Sequence, residues 1–227
     1  SILFICAKGS EGALSLVNKK LYDVVFISLS EAVESDAKQC LDIIKGLDVA
    51  LVVVDHYTID SHWEKKLYSE LYSLLVIDDL ANRKHYCDVL LDSSYGRISD
   101  DYYGLCNASC KFLIGSDYCL LKPEFREYVE VAIKKRQSCE SIQTGLVKFG
   151  ATDHKNFSKR CIDTLKFLNF EGAIRILLSS ASDRRNELED ICANSENVYL
   201  HLDEPNVPAL MLAADLAIGS VGTSSWE

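Results

Sequence analysis

Short apolar runs bounded by turn residues recur through the first half of the chain and predict buried strands. The runs are rich in Val, Ile and Leu without polar alternation, as expected of strands covered on both faces of a parallel sheet. They cover residues 2–7, 24–29, 49–54, 74–77, 89–91 and 112–114. Amphipathic spacing between the runs predicts helices over 11–20, 34–45 and 61–70. The third helix opens with the pattern of a capping box, Ser61-His62-Trp63-Glu64.

The same alternation restarts after a polar stretch. Residues 131–144 are charged and carry little apolar material, so we predict a linker there between an N-terminal lobe, 1–130, and a C-terminal lobe, 145–227. In the second lobe, strands are predicted at 145–149, 174–178, 198–202 and 216–218, and helices at 156–168, 184–192 and 207–213. The sequence therefore predicts an α/β protein of two Rossmann-like lobes with parallel sheets and a cleft between them.

Charge and composition narrow the classes of partner. The net charge of −10, with no long basic run, disfavours nucleic acid and anionic membranes as partners. Nine scattered cysteines are an odd number and indicate free thiols in a reducing compartment. No signal peptide is visible, and no apolar run reaches the roughly 18 residues that span a bilayer. We expect a soluble, cytoplasmic monomer, and its first and last residues have the pattern of a fold cut at both ends.

Ligands of open parallel sheets bind at the carboxyl ends of strands, which draws attention to the loop 219–227. Its glycines permit close backbone approach, and its hydroxyls and predicted helix start favour an anion such as a diphosphate. Ser224 and Glu227 also match an ordinary capping box, so a purely structural role stays open. The turn 149–153 has a corresponding position: Gly150 would admit a ligand, and Asp153 is expected to cap the next helix, although a helix cap and nothing more fits this turn equally well.

Two further strand ends carry polar side chains. Asp55, His56 and Tyr57 offer an acid, a base and a hydrogen-bond donor within one loop, although a capping Asp with a packed His or Tyr fits equally well. Asp78 and Asp79 are expected to form a salt-bridged turn with the nearby basic residues rather than a cation site.

Several kinds of site have no sequence support. Cys106 and Cys110 lack a second ligand pair, so no zinc or other metal is expected. A Walker loop, a complete Gly-x-Gly-x-x-Gly fingerprint and a Gly-x-Ser-x-Gly elbow are not found, and we expect no cofactor.

The order and spacing of several segments resemble one family, the UDP-2,4-diacetamido-2,4,6-trideoxy-β-L-altropyranose hydrolases of pseudaminic acid biosynthesis. The resemblance covers nearly the whole chain, through 52–57, 75–81, His85, 87–92, 101–105, 118–125, 150–153, 214–219 and 225–227. It implies the two-lobed glycosyltransferase-B fold, similar to the glycosyltransferases that build lipid II. It also implies hydrolysis of a UDP-sugar at the anomeric carbon with inversion.

The resemblance also implies site residues. The second lobe would hold UDP, with its diphosphate facing two groups of residues: Gly150, Ala151 and Thr152, and Ser220, Gly222, Thr223, Ser224 and Ser225. Glu227 would accept from the ribose hydroxyls, and uracil would lie near His201 and Leu202. Tyr57 matches an active-site tyrosine, with His56 and Asp55 beside it as further candidate catalytic residues.

Two departures from the family pattern are visible. Family members usually have Gly-Gly where this chain has Gly150-Ala151. Their Gly-x-Gly-His loop, whose histidine resembles a general base, would fall before Ser1. A glycosyltransferase on the same fold and a catalytically silent nucleotide-sugar-binding module therefore remain alternative functions.

Overall fold

The chain folds into two compact units, residues Ser1–Cys119 and Leu120–Glu227. The computed structural model describes residues 1–9, 22–28 and 33–227. The predicted helix over 11–20 lies outside the described residues. No helix in the described part of the chain combines the length and the apolar character needed to cross a bilayer.

The first unit is built on parallel strands, as their apolar runs predict. β1 (Leu3–Ala7) pairs with β2 (Asp23–Ile27), and β3 (Val52–Asp55), β4 (Leu74–Ile77), β5 (Val89–Asp92) and β6 (Lys111–Ile114) form a second sheet in that order. The connecting helices include α1 (Val33–Ile44) and α2 (Ser61–Ser69). One apolar core joins the two sheets through Ile27, Val54 and Val76, with Trp63 and Leu67 of α2 packed on it.

The start of α2 corrects one expectation. Asp60, rather than Ser61, is the N-cap, and its carboxylate accepts from the His62 amide at 2.8 Å. Glu64 does not turn back to close a capping box. It is buried, and its carboxylate contacts His85 Nδ1 at 2.7 Å and accepts from the amide of Tyr86. The local pattern predicts that the Glu64 side chain caps the helix, but its carboxylate instead bonds residues that lie far along the chain, His85 and Tyr86.

A buried polar cluster fixes the loops that follow β4 and β5. The Tyr102 hydroxyl lies 2.9 Å from Asp78 Oδ2 and 2.8 Å from Asp92 Oδ2, and Arg83 and Arg97 each donate to one of these carboxylates. Burial alone would raise the pKa of Asp78, but donation from the Ala81 amide, Tyr102 and Arg83 lowers it below the usual carboxyl range. The cluster includes the salt-bridged turn predicted at this strand end.

The second unit alternates helices and strands from its start. Its helices are α3 (Pro123–Gln137), α4 (Phe157–Phe167), α5 (Arg185–Ala193) and α6 (Val207–Ala213). Its strands are β7 (Thr144–Lys148), β8 (Ala173–Leu178), β9 (Val198–Leu202) and β10 (Leu216–Gly219), arranged in the parallel order β10-β7-β8-β9. Val147, Ile174 and Ile176 form the centre of its core, with Ile162 and Leu188 covering them.

The polar stretch after residue 126 is a helix through Gln137, and the units divide before it rather than within 131–144. Lys135 of α3 explains the difference. Its ammonium donates to the carbonyls at the end of α6 (212–214) and pairs with Asp215 at 2.8 Å. The other carboxylate oxygen of Asp215 accepts from the amides of Gln143 and Thr144, so this charged helix is bonded into the second unit.

Removing the Tyr102 hydroxyl tests the buried cluster. Tyr102→Phe leaves two buried carboxylates short of a donor, and we expect a loss of about 1–3 kcal/mol in the free energy of unfolding. Tyr103→Phe is the matched control because Tyr103 is 92% exposed. Urea unfolding followed by tryptophan fluorescence measures both. Equal midpoints for the two variants would show that the cluster contributes nothing to stability.

Candidate functional site

Parallel pairing of β7 with β10 brings two of the predicted ligand loops together. Lys148 and Gly219 are register partners at the carboxyl ends of these strands. The turn 150–152 and the loop 220–227 therefore leave the same edge of the sheet from neighbouring strands. In parallel sheets this edge is where ligands bind.

Two glycines give these loops their paths for different reasons. A Cβ at Gly219 would lie 2.2 Å from the backbone carbonyl oxygen of Lys148, so only glycine permits the approach of β10 to β7. Gly150 has φ +71°, in the left-handed region that favours glycine, and open space where a side chain would be. The backbone at Gly150 is accordingly exposed, and a ligand can approach it.

The loop after Gly222 differs from the expected helix start. Residues Thr223–Ser225 form a single 3₁₀ turn, and the amides of residues 225–227 donate to the carbonyls of Gly222 and Thr223. One such turn aligns too few peptide dipoles to act as a helix terminus. Any attraction of this loop for an anion must therefore come from the remaining loop amides, the hydroxyls and neighbouring side chains.

Serines after β8 hold the turn 150–152 in place. The Ala151 carbonyl accepts from the Ser179 amide at 2.8 Å, and the Thr152 carbonyl accepts from the Ser182 hydroxyl. Asp153 caps α4 as predicted, its carboxylate accepting from two backbone amides, those of residues 157 and 158. The sequence analysis did not single out the serines at 179, 180 and 182, which follow β8. Small polar residues directly after an apolar strand are the same pattern that pointed to the other candidate loops.

Lys148 is a further residue of this region that the sequence analysis did not single out. Its ammonium lies 2.5 Å from the Ser224 hydroxyl and 3.8 Å from Glu227 Oε2. Glu227 Oε2 is buried and has no hydrogen-bond partner among the described residues. A cation, a hydroxyl and a carboxylate with an unused acceptor thus converge beside the exposed loop.

His201 and Leu202 lie on β9, separated from β7 by β8. The His201 ring is held between Glu204, at 3.4 Å from Nδ1, and Arg175, at 3.3 Å from Nε2. Leu202 packs on the core. These two residues share the carboxyl edge with the other loops but do not contact them through any bond described here.

The candidate catalytic loop follows β3 in the first unit. Asp55 ends the strand, and the hydroxyl of the exposed Tyr57 lies 3.5 Å from Asp79 Oδ2. The Asp79 carboxylate, with smaller contributions from burial and Asp55, raises the pKa of Tyr57 above its usual value. The Tyr57 hydroxyl donates to Asp79 and is available as a hydrogen-bond donor at this loop.

His56 is oriented by its own loop. The Thr58 amide donates to His56 Nδ1 at 3.2 Å, which assigns the ring proton of the neutral form to Nε2. Arg83 donates to the His56 carbonyl at 2.9 Å and connects this loop to the buried cluster around Asp78. His56 thus presents a donor rather than a free basic nitrogen.

Three thiols lie near one another in the first unit. Cys87 and Cys110 Sγ are 3.6 Å apart, and donation from Cys106 and Cys87 lowers the pKa of Cys110. Within the ranges that the structure describes, no group of three or more His, Cys, Asp or Glu side chains is arranged to hold a metal ion.

The fold is of the glycosyltransferase-B type. MurG of Acinetobacter baumannii matches 99% of this chain and 74% of its own with a TM-score of 0.53 at 11% identity. UGT89C1 of Arabidopsis thaliana, solved with quercetin, matches 99% and 68% with a TM-score of 0.51 at 8% identity. At these identities the likeness establishes the fold alone.

A sequence relative is more specific. The chain is 26% identical over 197 residues to the UDP-2,4-diacetamido-2,4,6-trideoxy-β-L-altropyranose hydrolase of Campylobacter jejuni, a match covering 87% of this chain and 67% of that protein. This confirms the resemblance inferred from the sequence. No protein-family model matches the chain.

Gly219→Ala tests the contact that joins β10 to β7. The added Cβ meets a backbone carbonyl that cannot move aside, and we expect a loss of about 1–3 kcal/mol in stability. Gly222→Ala is the control, because its added Cβ meets nothing within 4 Å. Thermal unfolding of both variants measures the difference. A Gly219→Ala variant as stable as Gly222→Ala would contradict the described approach of the strands.

Proposed function

We propose that this chain hydrolyses a UDP-linked 2,4-diacetamido-2,4,6-trideoxy sugar, releasing UDP and the free sugar with inversion at the anomeric carbon. The carrying observation is the match over 197 residues to a hydrolase named for that substrate. The paired loops after β7 and β10, on a glycosyltransferase-B fold, support binding of the nucleotide part. In the reaction, a water oxygen bonds to the anomeric carbon as the carbon–oxygen bond to the diphosphate breaks, and the water proton passes to a base.

The second unit supplies the nucleotide site in this proposal. Gly150, Ala151 and Thr152 face the diphosphate from one side, and the loop Ser220–Ser225 faces it from the other. Glu227 accepts from the ribose hydroxyls, a role that its Oε2 supports because this buried oxygen accepts no hydrogen bond within the described residues, which is costly. Uracil lies beside the end of β9, at His201 and Leu202.

The candidate catalytic residues lie in the first unit. Tyr57 donates a hydrogen bond to the sugar or to the attacking water, a role that its exposed hydroxyl supports. Asp55 and His56 border the same position, with His56 Nε2 as a second donor. Orientation of the water and of the anomeric centre accelerates the step by holding the reacting atoms in place.

Two other functions each have one observation in their favour. Transfer of the sugar to an acceptor is favoured by the fold, because the two structural neighbours described above have glycosyltransferase architecture. Binding without turnover is favoured by His56, whose Nδ1 already accepts from Thr58. All three functions use the same nucleotide site.

One assay separates the three functions. The protein is incubated with the UDP-sugar, with and without candidate acceptors, and UDP and reducing sugar are both quantified. Equimolar UDP and free sugar without an acceptor supports hydrolysis. Loss of substrate that depends on an acceptor supports transfer, and tight binding with neither product supports a binding module.

Tyr57→Phe is expected to lower kcat by about 10-fold or more while leaving UDP affinity within about twofold, because the lost donor acts on the reacting sugar or water. Tyr103→Phe, at an exposed tyrosine outside the site, is the control. Steady-state kinetics and calorimetric titration with UDP measure the two effects. Equal losses in turnover and affinity would contradict the role given to Tyr57.

Glu227→Ala is expected to weaken UDP and uridine alike, by roughly 10-fold, because both ligands contain the ribose. Glu189→Ala removes an exposed carboxylate from α5 and serves as the control. Titration of each protein with both ligands gives the result. Unchanged uridine affinity in Glu227→Ala would remove Glu227 from the ribose site.

A further inference from the structure

We infer that Lys148 supplies the side-chain cation that binds the diphosphate of the nucleotide. The inference rests on the proposed function and adds a binding residue to its site. Lys148 ends β7, directly beside the start of the loop 220–227, and the Ser220 amide donates to its carbonyl oxygen at 3.3 Å. Its backbone thus sets the path of the loop, and its side chain reaches into the loop.

The Lys148 ammonium has unused hydrogen-bonding capacity. Of its three N–H donors, one is used on the Ser224 hydroxyl at 2.5 Å. The 3.8 Å separation from Glu227 Oε2 is an ion pair beyond hydrogen-bond distance. The side chain is 28% exposed, so a ligand in the loop can take up the remaining donors.

The loop itself needs this charge. The chain has a net charge of −10, and the amides of 225–227 and of Ser220 are already bonded to backbone carbonyls. Within the described loop, this leaves the amides of 221–224 to meet a diphosphate that carries at least two negative charges. Hydrogen bonds between ionised partners are about twice as strong as neutral ones, so a lysine at this position contributes more than a further amide.

A purely structural lysine predicts a different result. If Lys148 only holds Ser224 and Glu227 in place, its removal weakens uridine as well as UDP through the ribose contact, and Lys148→Gln, which keeps a donor for Ser224, keeps the UDP affinity of the original chain. If it binds the diphosphate, its removal weakens UDP and leaves uridine unchanged. The ratio of the two affinities therefore distinguishes the two roles, whatever the change in stability.

The experiment titrates the whole chain with UDP, uridine and inorganic pyrophosphate by calorimetry at low and high salt. The variants are Lys148→Met, Lys148→Gln, which keeps a donor for Ser224 without the charge, and Lys148→Arg, which keeps the charge. Lys159→Met is the control: it removes the same charge from an exposed helix position where Lys159 pairs with Asp163. Thermal unfolding identifies any variant that does not fold, and the Gln variant then replaces Met.

We expect Lys148→Met and Lys148→Gln to weaken UDP and pyrophosphate by roughly 10-fold or more, with uridine within about twofold and a smaller effect of salt. We expect the UDP affinity of Lys148→Arg to lie within a few-fold of that of the original chain. We expect the UDP affinity of Lys159→Met to equal that of the original chain. Equal weakening of UDP and uridine, or no weakening of UDP, overturns the inference while UDP binding by the unaltered chain stands. Failure of the unaltered chain to bind UDP counts against the proposed function itself.

Discussion

The carbonyl of Lys148 sets the geometry of the carboxyl edge of the second unit's sheet, where β7 and β10 end. A Cβ at position 219 would lie 2.2 Å from this carbonyl oxygen, so the space between β10 and β7 admits no side chain there and the chain must carry Gly219. Everything beyond that contact depends on it. The loop 220–227 starts where β10 is held, and the side chain of Lys148 meets the same loop again at Ser224.

In the first unit, a buried polar cluster rather than a glycine contact fixes the loops at the strand ends. Two carboxylates at adjacent strand ends, Asp78 and Asp92, share the Tyr102 hydroxyl and are each paired with an arginine. Those arginines extend to backbone carbonyls in neighbouring loops, Arg83 to His56 and Arg97 to Asp79. The exposed catalytic candidates are thereby carried by loops whose anchors are buried.

Sequence pattern predicted the strands and most helices well, because apolar runs and amphipathic spacing are local signals. It failed where a distant partner decides the outcome. The charged sequence of α3 predicts a linker, but Lys135 donates to a carbonyl at the end of α6 and bonds this helix into the second unit. Glu64 has the position of a capping-box residue, but its carboxylate contacts His85 and Tyr86 instead. Family resemblance supplied most of the candidate site, whereas Lys148 has no signature of its own, since a lysine at a strand end is ordinary.

Asp215 bears on the ligand binding that we propose for the second unit. Asp215 directly precedes β10, and its carboxylate pairs with Lys135 of α3 and accepts from the amides at the start of β7. Beyond β10, the Lys148 ammonium bonds Ser224 in the loop 220–227. The segment between these two attachments is secured at both ends before any ligand arrives. The segment 216–224 then loses little conformational entropy when the proposed nucleotide binds. Substitutions that alter its contacts with the nucleotide should therefore change the affinity more than changes in loop length do.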